Sequence, residues 1–122
     1  MKFAKLVFIV AGIYGLLVLL PQYFLEQKTG HDHPPAITHP EFYYGFIGVG
    51  LAWQVLFLII ARDPLRYRLM MLPSFLEKAG FGIAVFVLYF QQRVALPMVF
   101  AAVVDLILGT LFLISFWRTR TP

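Results

Sequence analysis

The sequence contains no cysteine and few charged residues, and both shortages restrict what the chain can be. Without cysteine, disulfide bonds, thiolate metal sites and thiol redox chemistry are all excluded. Charged residues make up 13% of the 122 residues, whereas an ordinary soluble domain has about 25%. The chain also has no nucleotide-binding loop, no GxSxG or HExxH motif and no nucleophile beside a base. We therefore expect no enzymatic activity from this chain alone and no cofactor.

Apolar residues are abundant instead, with 61% of the chain hydrophobic and 17% aromatic, and they are concentrated in four runs. A helix needs about 20 apolar residues to cross a bilayer. The runs predict a single integral membrane domain over residues 1–122, an all-α, four-helix transmembrane bundle. Its helices are expected at about 6–25, 42–61, 70–92 and 94–117, with an outer loop at 26–41 and an inner loop at 62–69.

Prolines and charges interrupt two of these runs. Pro21 is expected to end or kink the first helix, because proline lacks the backbone N–H that a helix requires. Pro73 and the adjacent pair Glu77 and Lys78 interrupt the third run. The first run could alternatively be a cleaved signal peptide, but no small-x-small cleavage site follows it, so we predict an uncleaved helix.

Lysine and arginine are distributed unevenly over the predicted loops, and this asymmetry predicts the orientation. If the four helices alternate in direction, Lys28 and Arg93 fall on one side of the bilayer. Seven basic residues fall on the other side: Lys2, Lys5, Arg62, Arg66, Arg68, Arg118 and Arg120. Because cytoplasmic loops carry the excess of positive charge, both termini are predicted to be cytoplasmic. The basic residues form no stripe interleaved with aromatics, so nucleic acid is not an expected partner despite the net charge of +4.

Asp105 is the only acidic residue inside the last apolar run. It lies 12 residues after Arg93 and 13 residues before Arg118, and the helical rise of 1.5 Å per residue therefore places it close to the bilayer midplane. A charge at this depth costs at least ~2.5 kcal/mol on insertion scales, so such residues are usually paired and functional.

Three further polar residues are expected near Asp105. Gln54 should lie slightly to the cytoplasmic side of the midplane, and Glu77 and Lys78 about a turn deeper in that direction. The long lysine stem can reach Asp105 or extend to the cytoplasmic headgroups. Two interpretations stay open. The four residues form a ligand- or proton-binding site in the cytoplasmic half of the bundle, or they pair only to determine the helix register.

The outer loop contains the three histidines of the chain, His31, His33 and His39. Imidazole is a common ligand of Zn²⁺ and Cu²⁺, so these residues are candidate metal ligands. The alternative is an extended, solvated connector, since the loop also contains three prolines and a glycine. No histidine falls inside a predicted helix, which excludes a bis-histidine haem within the bundle.

One stretch of the chain supports a comparison with known proteins. PEFYYGFIGVGLAWQVLFLIIARDPLRYR followed by MLPSFLEKAGFG, within residues 40–82, resembles a group of short bacterial four-helix integral membrane proteins and, more distantly, the DoxX-like group. The shared elements are a glycine-rich second helix, an arginine-rich inner loop and a third helix that opens with charge. The resemblance implies a location in the bacterial cytoplasmic (inner) membrane. It also implies an accessory subunit of a membrane redox complex or a binder of a hydrophobic molecule.

These observations lead to two predictions of function. The first is a small multi-pass membrane protein that is a non-enzymatic accessory subunit or binds a small hydrophobic molecule. The alternative is a proton-linked small-molecule transporter that acts as a homo-oligomer through Asp105. The expected partners are the lipid bilayer, another membrane protein or further copies of this chain, and a small hydrophobic molecule.

Overall fold

The computed structural model describes residues 2–119 and confirms the predicted all-α, four-helix bundle. Arg120, one of the residues used to predict orientation, lies outside the described residues. Five α-helices and two short 3₁₀ helices follow one another in the order α1 (Lys2–Leu19), 3₁₀ (Leu20–Phe24), α2 (Glu26–Asp32), α3 (Pro40–Arg62), 3₁₀ (Arg68–Met70), α4 (Met71–Phe90) and α5 (Leu96–Arg118).

Proline positions explain where several helices begin and end. Helix α1 ends at Leu19 and continues as a 3₁₀ turn that contains Pro21, as predicted. Pro40 and Pro97 lie in the first turns of α3 and α5. A backbone N–H in the first turn has no intrahelical acceptor, so proline loses no hydrogen bond there. Pro73 also lies in a first turn, and α4 is continuous from Met71 to Phe90. The interruption predicted at Pro73 is therefore absent, because the helix begins only two residues earlier.

The outer loop is not the extended connector that its prolines indicated, because residues Glu26–Asp32 form the short helix α2. The prolines of this loop follow α2 in the chain and leave its backbone N–H groups intact. An i,i+4 ion pair joins Lys28 Nζ to Asp32 at 3.0 Å and supports the helix. Hydrogen bonding to Lys28 also lowers the pKa of the Asp32 carboxyl below its ordinary value.

The four long helices pack as two antiparallel pairs that share one further contact. Helix α1 packs along α3, α4 packs along α5, and α1 also contacts α5, whereas α3 and α4 approach each other at few points. Glycines permit the closest contacts. A Cβ on Gly12 would lie 3.1 Å from the Gln54 carbonyl oxygen of α3, and a Cβ on Gly82 would lie 2.6 Å from Leu106 Cγ of α5. Because α3 and α4 approach each other at few points, the α3–α4 seam is the loosest side of the bundle.

The tight core lies in the half of the bundle that holds the described ends of the chain. Phe8 stacks on Phe112 with ring centroids 4.2 Å apart, and Phe57 meets both rings edge-on. Ile60 and Met71 are buried in the same cluster. All three rings are fully buried, with an exposed fraction of 0% each. This half is therefore fully packed, and any internal space must lie in the other half.

Large apolar side chains cover the outside of the bundle. Four helical stretches of 23 residues each, Lys2–Phe24, Pro40–Arg62, Arg68–Phe90 and Leu96–Arg118, are long and apolar enough to span a membrane. Many of their apolar residues are exposed, including Leu6, Leu17, Phe42, Val49, Leu76, Ile83, Phe90, Phe100 and Ile107. Apolar surface of this extent is typical of proteins whose solvent is lipid. The chain is a small multi-pass membrane protein.

Candidate binding site between the helices

Three ionisable side chains meet inside the bundle where α4 and α5 face each other. Lys78 Nζ lies 3.5 Å from Asp105 Oδ1 and 3.7 Å from Glu77 Oε2. Lys78 is 3% exposed, so its stem turns into the bundle and does not extend to the headgroups. The sequence analysis left both routes open for this lysine, and the structure has the internal one. We call Glu77, Lys78 and Asp105 the ionic cluster.

Gly109 and the ring of Phe57 determine where the ammonium group of Lys78 lies. Gly109 follows Asp105 by one helical turn, and a Cβ at this position would lie 3.2 Å from Lys78 Cβ. The absence of that Cβ lets α4 approach α5 closely enough for the lysine to lie against the α5 backbone. Lys78 Nζ also lies 5.3 Å from the centroid of the Phe57 ring, a distance at which a cation–π attraction operates.

Gln54 lies on α3 near the ionic cluster but is not part of an ion pair. It is 2% exposed, and its Nε2 donates a hydrogen bond of 2.8 Å to the Gly50 carbonyl one turn earlier. Its Oε1 is buried and has no hydrogen-bond partner among residues 2–119. The orientation of the amide follows from the Gly50 bond, because a flipped amide would point Oε1 at a carbonyl. The side chain fits beside α1 because Gly15 has no Cβ.

A cavity of about 850 Å³ extends from these residues through the half of the bundle farther from the aromatic core. Gln54 and all three members of the ionic cluster line its inner end. Its walls come from α1, α3, α4 and α5 and are mostly apolar, with Val18, Leu19, Phe46, Phe81, Met98 and Ala101 among the lining residues. This size and lining are typical of small-molecule sites, in which a few polar groups orient a largely apolar ligand.

The sequence analysis missed Tyr14, which lines the same cavity from α1. Its hydroxyl is the only polar group in the middle of an otherwise apolar first run. Counting helical rise along the first run would have placed it near the bilayer midplane, as it did for Asp105. Phe46 and Phe81 were also missed, and their rings, 6.2 Å apart between centroids, partly close the α3–α4 seam.

The outer end of the cavity is covered by α2 and the segment that follows it. Thr29, His33, Ile37 and His39 line this end. Two tyrosines of α3 contact this cover. The Tyr43 hydroxyl lies 3.4 Å from Thr29 Oγ1 of α2 and donates a hydrogen bond of 2.8 Å to the carbonyl of Gln22, in the 3₁₀ turn before α2. Tyr44 similarly donates one of 2.8 Å to the Glu26 carboxylate.

The structure does not bring the three predicted metal ligands together. His33 and His39 line the cavity mouth. His31 lies on the exposed side of α2 beside Asp32, and the Nδ1 of His39 lies 3.1 Å from Glu41 Oε1. Within residues 2–119 no group of three or more His, Cys, Asp or Glu residues is placed to hold a metal ion. Binding by all three histidines would require this segment to rearrange.

The arrangement as a whole can bind and orient a molecule. The groups at the inner end of the cavity are two carboxylates, one ammonium, one amide and one phenol. Comparison with protein-family models, with curated proteins and with solved structures finds no match for this chain.

Proposed function

We propose that this protein binds a small, largely apolar molecule in the cavity between its helices. The observation that carries the proposal is the position of the ionic cluster at the inner end of a cavity of about 850 Å³. Charged residues that serve only helix register need no space beside them. Here the cluster faces a volume large enough for a ligand, and mostly apolar walls lead to it.

A ligand of this kind enters most readily from the membrane. The α3–α4 seam is the loosest side of the bundle, and the exposed ring of Phe46 borders it opposite Phe81. A lipid-soluble molecule is concentrated in the bilayer beside this seam, so lateral entry needs no aqueous path. The polar part of the molecule would meet Gln54 and the ionic cluster, and its apolar part would contact the cavity walls.

The finer features of the sequence prediction belong to the same proposal. The uneven distribution of lysine and arginine supports cytoplasmic termini. The resemblance to DoxX-like proteins supports a location in the bacterial cytoplasmic membrane and an accessory role beside a membrane redox complex. In that role the bound molecule would be one that the partner subunit uses or releases.

Native mass spectrometry of the protein released from mild detergent tests the proposal. We expect the wild-type chain to have a stoichiometric added mass. Ala101→Leu, which adds volume to the cavity wall, and Asp105→Asn should both lose that mass. Asp32→Asn is the matched control, because it removes an exposed carboxylate outside the cavity, and it should keep the mass. A bare wild-type chain, or one bound only to another subunit, would contradict binding and favour a purely structural role for Asp105.

Proton-linked transport by a homo-oligomer is the second proposed function. It is supported by the two carboxylates, Glu77 and Asp105, which share a single lysine inside a membrane-spanning bundle and could exchange protons with a substrate. Flux measurements in proteoliposomes distinguish it from simple binding. A transporter should show substrate flux that depends on a pH gradient and is abolished in Asp105→Asn, whereas a binding protein should show no flux.

A further inference from the structure

Resting on the proposed function, we propose the chemical class of the ligand: an amphiphile with one cationic, N–H-donating head, such as a protonated amine, and an apolar tail. The head would lie against Glu77, Asp105 and Gln54 at the inner end of the cavity. The tail would extend along the apolar walls toward the outer end.

The charge balance of the ionic cluster is the first argument. Two carboxylates face one ammonium, so the fully ionised cluster has one uncompensated negative charge. An unbalanced charge away from water is costly, and an added cation offsets the cost while an added anion increases it. Lys78 cannot recruit an anion, because its ammonium already has a carboxylate on each side and is almost fully buried.

The hydrogen-bonding groups at the inner end of the cavity are the second and independent argument. Gln54 Oε1 and Glu77 Oε2 are buried and have no hydrogen-bond partner within the described residues. The lysine contact of Glu77 Oε2, at 3.7 Å, exceeds hydrogen-bond length. Both atoms are acceptors, and a buried acceptor without a donor costs roughly 1–3 kcal/mol. No donor of the described residues reaches these two acceptors, and a primary or secondary ammonium supplies donors together with its charge.

The cavity walls suit both parts of such a molecule. Tyr14, Phe46 and Phe81 present aromatic rings to the cavity, and the faces of such rings attract cations. Farther out, the walls are formed by aliphatic side chains such as Val18, Leu19 and Ile37. A neutral apolar molecule would be accommodated by these walls but would leave both the negative charge and the two acceptors uncompensated.

Four probes with the same ten-carbon tail and different heads test the inference: decylamine, decyltrimethylammonium, decanol and decanoate. Binding to the protein in nanodiscs at pH 7 is measured by native mass spectrometry, relative to empty nanodiscs. We expect the order amine, trimethylammonium, alcohol, carboxylate. The amine should bind about 10- to 100-fold more tightly than the alcohol, the range of a charge-assisted hydrogen bond. The trimethylammonium head retains the charge but has no N–H, so it should fall between them.

Variants assign the preference to the named side chains. Glu77→Gln and Asp105→Asn should each weaken decylamine binding about 10- to 100-fold more than they weaken decanol binding, because only the charged head depends on the carboxylates. Gln54→Met should remove the advantage of the amine over the trimethylammonium probe. If either acidic variant fails to fold, Gln54→Met and the head-group order still test the inference. Asp32→Asn, outside the cavity, should bind all four probes as the wild type does.

The outcomes separate this inference from the proposed function on which it rests. Equal binding of amine and alcohol, or tightest binding of decanoate, would overturn the cationic ligand while leaving an apolar binding site. Failure of all four probes to bind the wild type would overturn both. A preference for the amine that persists in Glu77→Gln, Asp105→Asn and Gln54→Met would also overturn the assignment to this end of the cavity.

Discussion

Single glycines determine how closely the helices approach, and Gly12 lies directly against the α3 backbone. A Cβ at this position would lie 2.7 Å from Leu58 Cδ2 and 3.1 Å from the Gln54 carbonyl oxygen. The carbonyl belongs to the backbone of α3 and cannot rotate away, so α1 and α3 would have to separate. This contact also adjoins Gln54, whose side chain lines the cavity.

We expect Gly12→Ala to destabilise the protein by about 1–3 kcal/mol, as overpacking of a close contact does. The measurement is the free energy of unfolding in a fixed lipid or detergent mixture. Gly80→Ala is the matched control, because no atom lies within 4 Å of its added Cβ. Alanine favours helix over glycine by up to about 1 kcal/mol, so this control should be neutral or stabilising. Equal stability of the two variants would show that the α1–α3 contact does not depend on Gly12.

Among the helices and turns, the connection between α4 and α5 has the most unusual backbone. Gln92 has a φ of 60°, in the left-handed region that glycine favours. The N–H of Gln92 donates to the Tyr89 carbonyl at 2.9 Å, and that of Arg93 donates to the Leu88 carbonyl at 2.8 Å. This pair of bonds is a Schellman motif, which satisfies the last carbonyls of α4 and directs the chain into α5.

Gln92→Gly should therefore stabilise the protein by about 1 kcal/mol, because a non-glycine residue pays about that amount in the left-handed region. Gln91→Gly provides the control, since Gln91 has an ordinary φ of −84° and should gain nothing or lose about 0.5–1 kcal/mol. Thermal unfolding followed by circular dichroism would give both values. A loss of stability in Gln92→Gly would contradict the assigned turn geometry.

At the scale of the whole molecule, the property to measure is the orientation of the bundle in its membrane. The absence of cysteine makes this directly measurable, since each introduced thiol is the only one in the chain. Gln27 lies exposed on α2, and Leu65 lies exposed in the connection after α3, at the opposite end of the bundle. Labelling with a membrane-impermeant maleimide therefore reports each end separately.

We expect Gln27→Cys to react in intact bacterial cells and Leu65→Cys to react only after lysis. The physical reason is the excess of lysine and arginine on the side of residue 65, which is retained in the cytoplasm during insertion. The reverse pattern would place both termini outside. It would also put the mouth of the cavity on the cytoplasmic side.

Counting residues along each helix predicted the depth of some residues of the candidate site, but it did not predict which residues of different helices meet there. The approach of Lys78 to Asp105 was one of the two routes that their depths allowed, and the structure has the two side chains 3.5 Å apart. Their role in binding a ligand stays a prediction. The parts that were missed, Tyr14 and the α3–α4 seam with Phe46 and Phe81, depend on which helix faces which. Periodicity along one helix contains no information about its neighbour, because lipid and protein interior are equally apolar.

The sequence by itself determined the number of helices long enough to span a membrane and the positions of their prolines, and it predicted that Asp105 lies near mid-membrane. These properties depend only on local composition and on the thickness of a bilayer. Only the tertiary structure decided that α1 packs between α3 and α5, that α3 and α4 stay apart, and that a cavity opens beside the ionic cluster. The reason is that a cavity is the space left between helices, and its size depends on where glycines such as Gly12, Gly82 and Gly109 let the helices approach.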